Sequence, residues 1–111
     1  MDEARLAEAM KALASETRLR ILALLGRHPL CAGGIARKAG ISPSAASQHL
    51  RVLRAAGLVD DCRRGNHVHY SLVEKRLREM EEALEGLLRI SVETSCERPD
   101  EECDDLNRNG G

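Results

Sequence analysis

The most regular pattern of apolar and polar positions lies between residues 41 and 59. Three apolar residues recur there at the spacing of one helical face, namely Ala46, Leu50 and Leu53. Ser42 is a favourable N-cap, and Pro43 suits the first helical position because an N–H there would have no helical partner. Gly57 suits the left-handed residue that closes a helix. The pattern predicts an amphipathic helix of about four turns whose opposite side is polar and basic.

The segments on either side of this helix predict a winged helix-turn-helix fold. Upstream, residues 33–39 have a short helical pattern, and Gly40 supplies the turn between the two helices. Downstream, residues 58–64 and 67–72 flank Gly65-Asn66, which is a signal for a two-residue β-hairpin turn. The expected fold class is therefore mainly α with a small β-hairpin.

Helical patterns also occur towards both ends of the chain. The first covers residues 3–14, with an apolar face formed by Leu6, Met10 and Leu13. A second is capped by Ser15 and runs to Gly26, with apolar positions at Leu19, Leu22, Ala23 and Leu25. A long helix from about Val73 carries a stripe close to heptad spacing, formed by Leu77, Met80, Leu84, Leu87 and Ile90 or Ser91. Such a stripe packs either on another subunit or back on its own core.

Four short motifs follow one another in a specific order. They are Glu16–Leu22 (ETRLRIL), Ser44–Leu50 (SAASQHL), Leu53–Val59 (LRAAGLV) and Arg64–Leu72 (RGNHVHYSL). Together they resemble the ArsR/SmtB family of winged-helix repressors, and the resemblance covers roughly residues 5–92. It implies a homodimer formed by the first and last helices, which would present two recognition helices to an inverted repeat in double-stranded operator DNA.

The distribution of charge divides the chain into two parts. Residues 37–78 hold nine basic and three acidic residues, a net +6, whereas residues 79–111 hold three basic and eleven acidic residues, a net −8. A basic segment around the recognition helix and hairpin is the footprint expected for phosphate contacts. We therefore expect a DNA-binding and dimerisation domain over residues 1–92 and an acidic, flexible, cysteine-containing tail over residues 93–111.

The polar side of the recognition helix and the hairpin supply the candidate DNA contacts. Gln and Arg side chains match adenine and guanine edges in the major groove, and short side chains allow close approach. The candidates are Ser44, Ser47, Gln48, His49, Arg51, Arg63, Arg64 and His67. Tyr70 is the only aromatic residue, so the stacking platforms that bind single strands are absent and duplex DNA is the expected partner.

The family's metal-sensing motifs match this chain only in part. Members that sense zinc take Asp, His and Glu ligands from the last helix, and residues 77–95 contain neither Asp nor His. Members that sense arsenite or cadmium carry a Leu-Cys-Val-Cys-Asp-like segment at the start of the third helix. Here Cys31 matches the first cysteine of that segment, and Gly33 replaces the second. Any soft-metal site must therefore recruit thiolates from elsewhere in the chain.

Cys96 and Cys103 in the acidic tail are the main candidate ligands for an inducer. Trivalent arsenic prefers thiolates to oxygen or nitrogen ligands, so the expected inducer is arsenite or a related thiophilic metal(loid) ion. The third ligand is Cys31, Cys62 or a solvent thiol, and the sequence leaves that choice open. Two tail thiols would also suffice for a reversible disulfide, so a dithiol redox or persulfide sensor of the same fold is the main alternative.

The other two cysteines also have simpler interpretations. Cys31 suits a small buried residue at a helix start. If Gly65-Asn66 is a two-residue turn, Cys62 lies opposite His69 on the polar face of the hairpin. Such a Cys–His pair is able to bind metal, although a hairpin that faces DNA explains both residues better.

Several classes of protein are disfavoured. The chain has no glycine-rich phosphate loop, nucleophile elbow or metal-hydrolase motif, so it is not expected to be an enzyme. It also lacks the apolar length of a membrane span and the start of a signal peptide, so a cytoplasmic location with reduced thiols is expected. A winged helix that contacts proteins, or a thiol carrier that does not bind DNA, is a further alternative. The basic middle segment argues against it.

Overall fold

The computed structural model describes residues 1–93, so nearly all of the predicted tail lies outside the described residues. Within this range the helices are α1 (Glu3–Leu13), α2 (Glu16–Leu25), α3 (Ala32–Ala39), α4 (Pro43–Ala55) and α5 (Glu74–Glu93). The strands are β1 (Leu30–Cys31), β2 (Val59–Arg64) and β3 (His67–Leu72). The order of elements is that of the predicted winged helix-turn-helix.

The turn between α3 and α4 depends on Gly40. Its φ of 70° lies in the left-handed region, which residues with a Cβ rarely adopt. This conformation lets the Ile41 N–H donate to the Ala36 carbonyl at 3.0 Å, which closes the end of α3. The glycine therefore sets the direction in which α4 leaves α3.

The wing is a three-stranded antiparallel sheet with β3 in the centre, in the order β1-β3-β2. The pairing of β2 with β3 runs to Arg64 opposite His67, which leaves the predicted two-residue turn at Gly65-Asn66. Gly65 has a φ of 60°, as a tight hairpin turn with glycine in its first central position requires. The sequence did not reveal β1, because two residues are too short to show a periodic pattern.

The buried core draws on the helices and the first residue of β2. In α4 the predicted apolar face is confirmed, because Ala46, Leu50 and Leu53 are all 0–1% exposed. The predicted face of α1 was wrong at Met10, which is 45% exposed. Ala9 and Ala12 are buried beside Leu6 instead, because their small side chains let α1 lie close against the core.

A similar difference occurs in α2, where Leu19 was expected on the apolar face. Leu19 is 52% exposed, whereas Ile21 is fully buried. Ile21 and Leu25 are four residues apart and form the buried side of α2. Apolar residues occur on several sides of this helix, so periodicity alone did not identify the buried one.

The apolar stripe of α5 divides into two parts. Leu77 and Met80 pack against the core of their own chain. Further along the helix, Leu84 is 38% exposed and Leu88 is 58% exposed. The second half of α5 therefore presents apolar side chains to the surface. None of the helices in residues 1–93 is long and apolar enough to span a membrane.

Candidate nucleic-acid interface

The recognition helix α4 is fixed at both ends by the residues that the sequence indicated. The Ser42 hydroxyl accepts a hydrogen bond from the Ala45 N–H at 3.1 Å, and Pro43 occupies the first helical position. At the other end, Gly57 has a φ of 77°, and the Leu58 N–H donates to the Leu53 carbonyl at 3.0 Å. These caps satisfy backbone groups that the helix leaves unpaired.

The outward side of α4 is polar, exposed and singly basic. Ser44, Ser47, Gln48 and Arg51 are all exposed. Arg51 makes no ion pair with any described side chain, so its guanidinium is available to an external partner. A helix that buries one face and presents short polar residues, a glutamine and an arginine on the other has the form of a major-groove reader.

His49 occupies a different position from the other candidates on α4. It is half-buried, and its Nδ1 lies 3.4 Å from a guanidinium nitrogen of Arg18 on α2. The same arginine donates through Nε to the Ala12 carbonyl of α1 at 2.6 Å. Arg18 therefore links α1, α2 and the recognition helix. A role for this arginine in holding α4 was not predicted, because nothing in the sequence pairs residues 18 and 49.

A second contact joins the recognition helix to the wing. Arg54 near the end of α4 forms an ion pair with Asp61 of β2, with a nitrogen–oxygen distance of 3.1 Å. Beside it, an open cavity of about 560 Å³ separates α4 from the sheet and is lined by Ser47, Leu50, Arg51, Arg54, Ala55 and Tyr70. The ion pair links the last turn of the recognition helix to the wing.

The tip of the wing carries the candidate phosphate contacts. Arg63, Arg64 and His67 are all exposed, and they surround the tight turn at Gly65. Arg37 and Lys38 are exposed in the last turn of α3 and were not among the residues predicted to contact DNA. In a helix-turn-helix the first helix crosses the DNA backbone, so these two cations extend the basic surface. Their position at the end of the helix before the Gly40 turn is the feature of the sequence that could have indicated this contact.

Comparison with known proteins identifies the family. Residues 15–61, which run from the N-cap of α2 into β2, match the family described as bacterial regulatory protein, arsR family. An ArsR-like transcriptional regulator from Rhodococcus sp. RHA1 shares 36% identity, covers 81% of this chain and 82% of its own, and superposes with a TM-score of 0.71. The chain belongs to the arsR family. It is therefore a member of a family of transcriptional regulators rather than an enzyme, as the sequence predicted.

Two further proteins are similar to this arsR-family chain over most of its length. A transcriptional repressor SmtB homolog from Synechocystis is 40% identical over 78 residues, which cover 69% of this chain and 59% of that protein. A homodimeric winged helix-turn-helix DNA-binding domain from Mycobacterium bovis, a possible ArsR-family regulator, is 26% identical. It covers 86% of this chain and 89% of its own, with a TM-score of 0.65.

The described thiols of this arsR-family protein lie on the two outer strands of the wing. Cys31 is the half-buried N-cap of α3, where its sulfur accepts a hydrogen bond from the Gly34 N–H at 3.4 Å. Cys62 is exposed on β2. The predicted pairing of Cys62 with His69 is confirmed, and Cys31 lies opposite the same histidine on the other side. The candidate ligands Cys96 and Cys103 lie outside the described residues.

The shared neighbour His69 separates the two described thiols. Adjacent strands are about 4.7–4.9 Å apart, so the Cα atoms of Cys31 and Cys62 are separated by roughly 9.5 Å. A disulfide requires Cα atoms within about 7 Å, and this sheet therefore prevents a bond between the two. Among residues 1–93, no three His, Cys, Asp or Glu side chains are grouped closely enough to hold a metal ion in their present conformations.

Proposed function

We propose that this protein is a homodimeric, DNA-binding transcriptional repressor that releases its operator when cysteine thiolates bind an inducer. The observation that carries this proposal is the exposed face of α4, where Gln48 and Arg51 stand beside a basic wing. The exposed cations of the wing add phosphate contacts. Its site of action is the cytoplasm, where chromosomal DNA and reduced thiols are both present.

The DNA contacts divide into two kinds. Gln48 and Arg51 contact base edges in the major groove, while Ser44 and Ser47 allow α4 to approach closely. Arg63, Arg64 and His67 contact phosphates through the wing, which fixes register but carries little sequence information. His49 serves chiefly to seat α4 against Arg18, and its exposed edge completes the interface.

Dimerisation supplies the two recognition helices that an inverted repeat requires. The exposed apolar side chains Leu84 and Leu88 of α5 and Met10 of α1 are candidates for burial against a second copy. The homodimeric relative with the same fold supports this arrangement. Each half-site is bound weakly by one subunit, so a dimer gains affinity by engaging both.

The proposed inducer site has Cys96 and Cys103 as its core, with Cys31 or Cys62 as a third thiolate. A soft ion such as arsenite suits a set of thiolates, and bonds to the ion offset the entropy of ordering the chain around it. The tail follows α5, so an ordered tail is well placed to change the relative position of the two subunits. The coupling energy is then the difference in the free energy of operator binding between the inducer-bound and the inducer-free protein.

A dithiol redox or persulfide sensor is the second candidate for the same tail. The observation in its favour is the separation of Cys31 from Cys62, which prevents a disulfide between these two, so any disulfide must include Cys96 or Cys103. An oxidant would then replace the metal ion as the inducing signal, and the protein would contact DNA through the same residues.

A mobility-shift experiment with two kinds of duplex tests the proposal. An inverted-repeat duplex selected by the protein from a random library should bind more tightly than a scrambled duplex of equal length at the same salt concentration. Arsenite should then release the selected duplex at lower concentration than zinc or a mild oxidant. Equal affinity for the two duplexes would contradict sequence-specific binding. Release by the oxidant alone would favour the redox sensor.

A further inference from the structure

The wing sheet has two faces of different chemistry. Val59, Tyr70 and Leu72 point inwards and pack on the core, and Asp61 on the same side reaches α4. Side chains alternate along a strand, so the residues between these point the other way. We call this second surface the outer face, and it consists of Cys31 on β1, Asp60, Cys62 and Arg64 on β2, and His67, His69 and Ser71 on β3.

Three metal-ligating side chains are neighbours on the outer face. His67 and His69 are two residues apart on β3, and their ring centres lie 6.4 Å from each other with the planes inclined by 64°. Two imidazoles that bind one tetrahedral zinc ion through bonds of about 2.0–2.1 Å have ring centres roughly 5–5.7 Å apart, so the two rings must approach each other by roughly 1 Å to bind one ion. Cys62 lies directly across from His69, where Cβ atoms of paired residues are about 4.5–5.5 Å apart.

His69 is the fixed member of this group. It is half-buried in the central strand, and its Nδ1 is buried without a hydrogen-bond partner. A buried polar atom without a partner is costly, and an ion can remove that cost once a small movement of the ring exposes this nitrogen. Beside the ring, a cavity of about 430 Å³ is lined by Pro29, Cys62, Arg64, His69 and Ser71. The cavity leaves room for an ion and its bound water.

We propose that Cys62, His67 and His69 form a binding site for Zn²⁺ or a similar borderline-soft divalent cation. One thiolate and two imidazoles are a donor set that zinc accepts, with solvent in the fourth position. The three side chains converge after rotation of Cys62 and His67, both of which are exposed and therefore free to turn towards His69. The thiol of Cys62 loses its proton to solvent when it binds.

The charges around the site are compatible with a bound cation. Arg64 lies on the same face, and its exposed side chain can extend into solvent. Asp60 lies on the other side of Cys62 and contributes a negative charge, as does the thiolate itself. Cys31 is not part of the site, because its sulfur caps α3 on the far side of His69. Cys62 is also one of the two candidates for the third thiolate of the proposed inducer site, so the two sites are separate only if Cys31 supplies that thiolate.

Cobalt(II) binding to the full-length C96S/C103S variant tests this proposal, because it removes the tail thiols without shortening the chain. The expected result is one equivalent of Co²⁺ per chain, with the absorption of a single thiolate–cobalt bond and the d–d bands of a four-coordinate ion. Adding Zn²⁺ should displace the cobalt. Adding C62S should abolish the thiolate band, and H67Q or H69Q should weaken binding by at least about tenfold.

Matched substitutions identify the ligands. C31S and H28Q change a cysteine and a histidine outside the site, and each should leave the cobalt spectrum and affinity unchanged. Circular dichroism melting checks that H69Q remains folded, and the surface variant H67Q keeps the test decisive if it does not. Absence of stoichiometric cobalt binding, or a thiolate band that survives C62S and disappears with C31S, would overturn the proposal. Because the C96S/C103S background removes the core of the proposed inducer site, failure of cobalt binding would leave the proposal for arsenite release standing.

Discussion

Replacing Arg51 with alanine should reduce operator affinity much more than affinity for random DNA. Arg51 is exposed on α4 and makes no ion pair with a described side chain, so its removal should change the free energy of unfolding by no more than about 0.5 kcal/mol. A lost bidentate contact with guanine costs about 1–3 kcal/mol. That range corresponds to a roughly 5- to 150-fold increase in the dissociation constant for the operator.

Two other arginines provide controls with different expected results. Arg64→Ala removes a phosphate contact, so affinity should fall for both duplexes and the slope of log K against log salt should become shallower by about 0.9. Arg54→Ala changes an arginine one helical turn from Arg51 and breaks the ion pair with Asp61. Such surface pairs contribute about 0.2–1 kcal/mol, so stability should fall slightly while sequence preference is retained.

Fluorescence anisotropy with labelled duplexes, measured across a series of salt concentrations, distinguishes these effects. The assay gives affinity for the selected operator and for a scrambled duplex of the same length. Equal losses on the two duplexes for Arg51→Ala would refute base recognition by this residue. A salt slope unchanged by Arg64→Ala would refute its contact with phosphate.

Three further substitutions and one matched control test the dimer, the seating of the recognition helix and its N-cap. Leu84→Glu should place a charge in the apolar dimer surface, and sedimentation should then show monomers with weakened operator binding; a wild-type protein that is itself monomeric at micromolar concentration would contradict this. Arg18→Ala should remove the contacts with Ala12 and His49 and cost about 1–3 kcal/mol, measured by denaturant unfolding, and an unchanged midpoint would argue against the link. Ser42→Ala should cost about 1 kcal/mol through the lost N-cap, whereas Ser44→Ala should have little effect on the melting temperature.

The sequence was most informative where local chemistry determines local structure. Ser42, Pro43 and Gly57 marked the ends of α4, because capping and positive φ are properties of single residues. The two-residue turn at Gly65-Asn66 fixed the hairpin register, and that register placed Cys62 opposite His69. Each of these features depends on residues close together in the chain.

Features that depend on contacts between distant segments were not predictable in the same way. The exposure of Met10 and Leu19 is determined by how closely α1 and α2 approach the core, which periodicity does not encode. The two residues of β1 pair with β3, which lies far along the chain, and this pairing adds Cys31 to the row containing His69. The contact of Arg18 with His49 likewise exists only in the folded chain.

Operator release by arsenite, compared between the wild-type chain and the cysteine variants, tests the central claim most directly. Cys96→Ser and Cys103→Ser should bind the operator almost as tightly as wild type, yet remain bound at arsenite concentrations that release the wild-type protein. Cys31→Ser or Cys62→Ser should have the same effect only if that residue supplies the third thiolate. Normal arsenite release by the protein that lacks both tail thiols would contradict the account.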